Sequence, residues 1–264
     1  MNTELKGKNV LITGGASGIG LGISKVLAKE GMNIAIASRN PGLAVKAQIE
    51  TYGIKCILIF ADLSKEEGVE KMVNEAISGL GHLDAYVNNA AWTWHESITK
   101  ITSEAWQSTM DTNLKSCVFA CKEITKHMIA RGKGGNIIII GSTVRFFPAF
   151  KETCYRISKM GLKIFMEQLT IEMAPHGIRV NMITPGHFVT RMTSHIPQEV
   201  VKEIQSLTPC GRTGDPIEIG NAVAFLLSEV LSGFTYGADL VIDGGLTLHP
   251  ILPPDAQKIR ELNL

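Results

Sequence analysis

The chain has 264 residues, 45% of them hydrophobic, and its 26 basic and 25 acidic residues give a formal net charge of +1. That apolar content is ample for a buried core and excludes a wholly disordered chain. The near-neutral charge argues against nucleic acid as a partner. The first apolar run, at residues 10–12, is too short for a signal peptide or a membrane span, which favours a cytoplasmic protein with no membrane partner.

The cysteines give no sign of a disulfide framework or of a metal site. The chain has five of them, an odd number, and they lack the paired spacing of a zinc site. Cys117 and Cys121 are one helical turn apart, which indicates packing on one helix face. We therefore expect neither structural disulfides nor a bound metal.

Short runs rich in β-branched residues alternate with longer stretches of helical period. The predicted strands are 9–12, 34–37, 56–60, 85–87, 136–140, 179–183 and 240–242. The predicted helices are 19–30, 42–52, 66–78, 103–130, 155–174 and 216–228. Apolar strands without polar alternation are typical of a parallel sheet covered on both faces. We predict a single doubly wound α/β Rossmann domain over 1–246, a seven-stranded parallel sheet with helices on both faces, and a C-terminal tail over 247–264.

A glycine-rich turn, Thr-Gly-Gly-Ala-Ser-Gly-Ile-Gly at 13–20, joins the first strand to the first helix. In an open α/β sheet, ligands bind beyond the carboxyl ends of the strands. Backbone amides and a helix N-terminus at this point can approach a pyrophosphate, although a turn with no ligand is the alternative. The predicted dinucleotide contacts here are Gly14, Ser17, Gly18, Ile19 and Gly20.

The next strand ends extend this predicted cofactor site. Ser38 and Arg39 offer a hydroxyl and a guanidinium suited to a 2′-phosphate, where an acidic residue would bind the free hydroxyl of NAD. This pattern favours NADP; a surface arginine without a ligand is the alternative. Asp62 follows the third strand and is equally suited to cap the helix that begins at Glu66. The further predicted contacts are Leu63, Asn89 and Ala90.

Four polar residues are candidates for the chemistry. Tyr155 and Lys159 lie one helical turn apart, so their side chains project from the same face. The pair alone is weak evidence, but Ser142 follows the fifth strand, and Asn113 lies inside a predicted helix, where an asparagine is unfavourable and needs a reason.

Together with Pro185-Gly186, these motifs resemble the short-chain dehydrogenase/reductase family, in its Tyr-x3-Lys branch. The resemblance runs from the first strand to 242–245. It implies hydride transfer between NADP(H) and a carbonyl or secondary alcohol carbon. The implied catalytic tetrad is Asn113, Ser142, Tyr155 and Lys159. The implied additional cofactor contacts are Tyr155, Lys159, Pro185, Gly186 and Thr190, the last of these on the nicotinamide carboxamide.

The expected mechanism follows from the acidity of a phenol. Its ordinary pKa of about 10 makes it a poor base at neutral pH, and we expect the Lys159 ammonium to lower that pKa. Tyr155 would then protonate the carbonyl oxygen as hydride arrives, while Ser142 hydrogen-bonds the same oxygen. The family resemblance implies further that Lys159 holds the nicotinamide ribose and that Asn113 places a water.

The sequence departs from the family pattern at three places. Ala91 replaces a usual glycine, Arg156 replaces a small residue beside the tyrosine, and His187 lies where a mobile substrate loop should begin. A role for His187 as a further acid/base is a minor alternative, since the tyrosine already fills it. The candidate substrate-pocket residues are Trp92, Trp94, Phe147, His187 and Phe188, which favour an apolar or ring-shaped substrate unless they only pack loops together.

Several functions and assemblies compete at this point. An NAD-dependent alcohol, sugar or hydroxysteroid dehydrogenase is the nearest alternative, and a catalytically silent dinucleotide-binding regulatory protein is one from another class. Enoyl reduction is disfavoured, because relatives with that chemistry space the tyrosine and lysine by seven positions. The family resemblance also implies a homo-oligomer, with a tetramer favoured.

Overall fold

The computed structural model describes residues 2–190 and 197–248. Seven strands form one sheet, and all seven lie where the sequence predicted a strand, within two residues at each end. They are β1 (Asn9–Thr13), β2 (Asn33–Ser38), β3 (Cys56–Phe60), β4 (Ala85–Asn88), β5 (Gly135–Ile140), β6 (Ile178–Pro185) and β7 (Asp239–Ile242).

The sheet is parallel throughout, in the order β3-β2-β1-β4-β5-β6-β7. The chain runs outward from β1 to β3, then crosses back to place β4 on the other side of β1. The order therefore reverses between β1 and β4, and the loops that follow these two strands diverge to leave a crevice at their carboxyl ends.

The helices are α1 (Gly18–Lys29), α2 (Leu43–Glu50), α3 (Glu66–Leu80), α4 (Ser103–Met110), α5 (Ser116–Arg131), α6 (Thr153–Met173), α7 (Gln198–Leu207), α8 (Pro216–Leu227) and α9 (Glu229–Ser232). Helices α3, α5 and α6 bury their apolar faces against one side of the sheet. Helices α1 and α8 pack together on the other side, with Ile49 of α2 beside them. Covered on both faces, the strands carry apolar side chains without alternation, and the predicted fold class is confirmed.

The structure differs from the predicted helices in three places. The predicted helix at 103–130 is divided by a π-helical turn, Asp111–Lys115, which separates α4 from α5. Helices α7 and α9 were not predicted. A π-helical turn inserts one extra residue into the helix, which redirects the side chains after it. This irregularity decides where Asn113 points.

The predictions about a membrane span, a metal site and the C-terminal tail can be compared only with the described residues. Among these residues no helix is both long and apolar enough to cross a membrane. Within 2–190 and 197–248, no three His, Cys, Asp or Glu side chains cluster as a metal site would need. The predicted C-terminal tail lies outside the described residues from 249 onward, and the domain boundary at 246 stays a prediction.

Candidate active site

A cleft of about 1320 Å³ opens at the carboxyl ends of the strands, where the sheet order reverses. It collects residues from distant stretches of the chain, because parallel strands all end at this edge. The predicted residues that line it are Gly14, Ser17, Gly18, Ile19, Gly20, Ser38, Arg39, Asp62, Leu63, Asn89, Ala90, Trp92, Ser142, Phe147, Tyr155, Lys159, Pro185, Gly186, His187, Phe188 and Thr190. Asn113 and Trp94 do not line it.

The glycine-rich turn forms one wall of the cleft, and its shape depends on missing side chains. Gly14 and Gly18 have φ of +66° and +51°, the left-handed region that glycine adopts without strain. A Cβ on Gly20 would lie 2.2 Å from the carbonyl oxygen of Gly14, too close for any other residue. The turn leads into the N-terminus of α1, whose first turn has no acidic side chain. Free amides without a nearby carboxylate suit the diphosphate of a dinucleotide.

Thr13 and Asn89 fasten the glycine turn to the loop after β4. The Thr13 hydroxyl accepts hydrogen bonds from the backbone amides of Asn89 (2.9 Å) and Ala90 (3.0 Å). The Asn89 side-chain amide in turn donates to the Thr13 carbonyl over 2.9 Å. Thr13 was not among the predicted site residues, although its position at the end of β1 is the kind of signal that marked the others. These bonds hold the two strand ends at a fixed separation.

Arg39, the arginine predicted to bind a 2′-phosphate, lies at the far end of the cleft, just after β2. Arg39 is exposed, and its guanidinium lies 5.0 Å from the centroid of the Trp92 ring. The alternative role of Asp62 as the cap of α3 is wrong. Its carboxylate accepts hydrogen bonds from the amide and hydroxyl of Ser64, and the residue that precedes the helix is Lys65. The Ser64 contacts lower the pKa of Asp62, with smaller contributions from Lys65 and Arg39, so it stays ionised.

Tyr155 and Lys159 project from the first two turns of α6 toward the strand end that carries Ser142. The Lys159 ammonium is buried, donates a 2.8 Å hydrogen bond to the Ile140 carbonyl and lies 5.5 Å from the centroid of the Tyr155 ring. A hydrogen bond between Ser142 and Tyr155 lowers the pKa of the phenol. The structure therefore brings these three predicted residues together.

The acidities of this pair differ from the sequence-based expectation that Lys159 lowers the pKa of Tyr155. Burial raises the pKa of Tyr155 to about 12; the Ser142 hydrogen bond lowers it, and the nearby Glu152 charge raises it. Burial also lowers the pKa of Lys159 to about 8. Both changes have one cause, since taking either group out of water disfavours its charged form. At neutral pH the phenol therefore keeps its proton.

Asn113 lies behind the cleft wall instead of on its surface. Its side-chain oxygen accepts from the Trp92 amide (2.6 Å), and its nitrogen donates to the Trp92 carbonyl (2.8 Å) and the Ser158 hydroxyl (3.0 Å). Ser158 donates to the Tyr155 carbonyl over 2.7 Å. The π-helical turn directs this amide into the interior, where it joins the loop after β4 to α6. These hydrogen bonds explain why an asparagine, which is unfavourable inside a helix, stands at this position.

The segment after Ser142 is fixed to the sheet by a partly buried ion pair. Arg145 bonds to the carboxylate of Asp239 at the start of β7, and the Thr184 hydroxyl donates to the same carboxylate over 2.6 Å. Arg156, whose direction the sequence left open, points toward the Arg145 carbonyl at 3.5 Å and does not line the cleft. The serine and the tyrosine thus sit on segments held by buried polar contacts, which favours a rigid site.

The segment after β6 also lines the cleft and reaches the glycine turn. Gly186 packs so tightly that a Cβ would lie 2.6 Å from the Cβ of Asp243. Thr190 lies next to the turn, because a Cβ built on Gly18 would meet its side chain at 3.1 Å. His187 has a ring nitrogen, Nε2, that is buried and has no hydrogen-bond partner among the described residues. Burial lowers the pKa of His187, which keeps the ring neutral at neutral pH.

The predicted pocket residues are divided by the loop between β4 and α4. Trp92 lines the cleft, whereas Trp94 turns outward with 45% of its surface exposed. Neighbouring side chains in a segment without regular structure can point to opposite sides, and here Thr93 and His95 face the cleft. Glu152, which the sequence analysis missed, also lines it. No motif marks that residue, since only the packing of the loop against the start of α6 brings it there.

A family model described as enoyl-(acyl carrier protein) reductase matches residues 14–247. The 3-oxoacyl-[acyl-carrier-protein] reductase FabG of Chlamydia pneumoniae is 34% identical over 94% of this chain and 100% of its own length. Glucose 1-dehydrogenase 2 of Bacillus subtilis is 33% identical over 95% of this chain and 98% of its own. The crystal structure of L-sorbose reductase from Gluconobacter frateurii, complexed with NADPH and L-sorbose, superposes with a TM-score of 0.86 at 29% identity, covering 94% of this chain and 99% of that one.

Fold, cleft and relatives together define an oxidoreductase that acts on carbonyl or alcohol substrates. The chain belongs to the short-chain dehydrogenase/reductase family, whose members bind a nicotinamide dinucleotide. The matching family model is described by enoyl reduction, yet both curated relatives are named for chemistry at a carbonyl or alcohol carbon.

Proposed function

We propose that this chain is an NADP(H)-dependent carbonyl reductase or secondary alcohol dehydrogenase in which Tyr155 exchanges a proton with the substrate oxygen. One observation carries the proposal: Ser142, Tyr155 and Lys159 lie together in the same cleft as the glycine-rich turn. If a dinucleotide binds with its phosphates at the turn, the rest of the molecule lies within the same cleft.

The cofactor choice rests on the residues after β2. Ser38 and Arg39 line the cleft and offer no carboxylate to repel a 2′-phosphate. Leu63, Asn89 and Ala90 would line the adenosine side, and Pro185, Gly186 and Thr190 the nicotinamide side. When bound, the nicotinamide ring supplies or accepts the hydride. The NADPH in the L-sorbose reductase structure is consistent with this choice.

The protein's own groups handle the proton and the charge. With its pKa raised to about 12, Tyr155 is protonated at neutral pH, the form that donates a proton to a carbonyl oxygen. The Ser142 hydroxyl, which lies beside the phenol in the cleft, is placed to stabilise the same oxygen. Lys159 supplies positive charge beside the phenolate left after proton transfer, and Asn113 acts as a positioning residue through Trp92 and Ser158.

Carbonyl reduction is expected to lose rate as the pH rises through about 8. Burial lowers the pKa of Lys159 to about 8, so its ammonium is present below that pH and lost above it, whereas Tyr155 stays protonated up to about 12. The measurement is kcat for ketone reduction from pH 6 to 10. Lys159→Met should be slow at every pH and lack the alkaline fall. A wild-type rate that is constant across this range would contradict the assignment.

The function as a whole is tested by absorbance of the reduced nicotinamide with a panel of ketones, hydroxy ketones, sugars and secondary alcohols, using both nucleotides. We expect turnover of at least one class, with NADPH or NADP⁺ preferred. Preference for NADH or NAD⁺ would support the NAD-dependent alternative. Nucleotide binding without turnover of any compound would support the silent regulatory protein instead.

The proposed assembly is a homo-oligomer, with a tetramer favoured. The outer face of α6 carries a stripe of exposed apolar side chains at helical spacing: Ile157, Met160, Ile164 and Ile171, which are 42%, 41%, 63% and 74% exposed. Burying such a stripe against a second copy would remove apolar surface from water. The cytoplasmic location stays a prediction.

A further inference from the structure

The end of the cleft that holds Tyr155 contains a carboxylate and an imidazole in contact, which the proposed mechanism does not use. Glu152 directly precedes α6, three residues before Tyr155. Its Oε1 lies 2.8 Å from Nδ1 of His95, and its Oε2 accepts a hydrogen bond of 3.3 Å from the Thr93 hydroxyl. All four residues line the cleft. The pair therefore joins the β4–α4 loop to the start of α6 beside the proposed acid.

The conformation of Glu152 is not explained by the helix that it precedes. A side-chain oxygen at the residue before a helix commonly accepts from the first free amides. Here the carboxylate makes no capping hydrogen bond and turns toward the β4–α4 loop. Its negative charge contributes to the raised pKa of Tyr155, so it lies within electrostatic reach of the phenol. A substrate whose reacting oxygen meets Tyr155 occupies the same cleft that this carboxylate lines.

The lining of the cleft also includes apolar side chains, among them Val144, Phe147, Ile204 and Leu207. Apolar side chains alone are enough to bind a simple ketone that has no further polar group. A carboxylate in the same lining favours a substrate with a hydrogen-bond donor, and each of its oxygens can accept more than one bond. A substrate hydroxyl can therefore join or replace the Thr93 hydroxyl, while the His95 ring keeps the carboxylate oriented.

We infer that Glu152 and His95 bind a hydroxyl group carried near the reacting carbon, which makes hydroxy ketones, sugars and their polyol products the preferred substrates. The inference rests on the proposed function, because Tyr155 must hold the reacting oxygen. A substrate without the hydroxyl covers the carboxylate and leaves it without that bond, which costs binding and rate.

The test compares kcat/KM for 2-hydroxycyclohexanone and cyclohexanone, which share a ring and differ in one hydroxyl. Wild-type protein should prefer the hydroxy ketone by about 10-fold or more. Glu152→Met, similar in length but without an acceptor, should erase this preference by slowing the hydroxy ketone far more than cyclohexanone. Glu152→Gln should retain part of it through the amide oxygen. The matched control is Glu96→Gln, a nearby carboxylate that does not line the cleft, and it should keep the full preference.

Equal kcat/KM values for the two ketones in wild-type protein would overturn the inference. So would a Glu152→Met variant that loses both substrates in the same proportion, since that pattern indicates a structural role. If wild-type protein reduced neither ketone with either nucleotide, the failure would count against the proposed function. Calorimetric binding of cis-1,2-cyclohexanediol and cyclohexanol with NADP⁺ would then decide the inference: tighter diol binding that Glu152→Met removes supports it, and equal affinities reject it.

Discussion

Tyr155→Phe is expected to lose carbonyl reduction by roughly 10³-fold or more while the protein stays folded and binds its nucleotide. The change removes one oxygen and the proton that it carries, and leaves the ring that packs beside Lys159. The hydroxyl group faces Ser142 inside the cleft, so the cost in stability should be small. The measurement is kcat with NADPH, together with nucleotide affinity and thermal unfolding.

Tyr52→Phe is the matched control for this variant. Tyr52 lies just beyond α2, is 42% exposed and does not line the cleft, so the same chemical change there should leave kcat unaltered. A Tyr155→Phe protein that reduces ketones within a few-fold of the wild-type rate would show that another group supplies the proton. His187 would then be the first to test, because its ring also lines the cleft.

Arg39→Asp is expected to reverse the nucleotide preference, lowering the ratio of kcat/KM for NADPH over NADH by about 100-fold or more. The guanidinium is suited to a 2′-phosphate, whereas an aspartate repels the phosphate and accepts from the free hydroxyl of NADH. The change also removes the Arg39 contact with the Trp92 ring, which lies 5.0 Å away. Intrinsic fluorescence should therefore report the loss of that contact separately from the kinetics.

Lys55→Asp makes the same change of charge at the amino-terminal end of the strands, directly before β3 and away from the cleft lining. It controls for the net charge of the protein and should leave the ratio unchanged. If Arg39→Asp and Lys55→Asp gave the same ratio as wild-type protein, the assignment of NADP from the end of β2 would be wrong, and Arg39 would be an exposed side chain without a role in cofactor choice.

The sequence predicted the sheet well because its central strands are buried on both faces. An uninterrupted run of β-branched residues, such as Ile137 to Ile140, indicates a strand covered on both faces. Helix α7 was missed although Val201 and Ile204 have helical spacing and Pro197 precedes it. The π-helical turn was beyond reach, because one extra residue in a helix changes neither the composition nor the apolar period enough to be read.

The residues of the candidate site also fall into those that the sequence could predict and those that it could not. Residues at strand ends could be predicted, since the topology of a parallel sheet brings those ends to one edge. Asn113 was found by its unfavourable place in a helix, but only the structure shows that its amide bonds to Trp92 and Ser158. Glu152 and His95 could not be predicted as a pair, because loop packing alone sets their 2.8 Å contact. The same holds for the acidities of Tyr155 and Lys159, which depend on burial.

The most direct test of the account is a crystal structure of this chain with NADPH and a competing ketone analogue. We expect the analogue's oxygen to lie within hydrogen-bond distance of both the Tyr155 and the Ser142 hydroxyl groups, with the nicotinamide ring against it and the phosphates at residues 14–20. A nucleotide with its phosphates at residues 14–20 but its nicotinamide ring remote from Tyr155 would contradict this assignment of the active site.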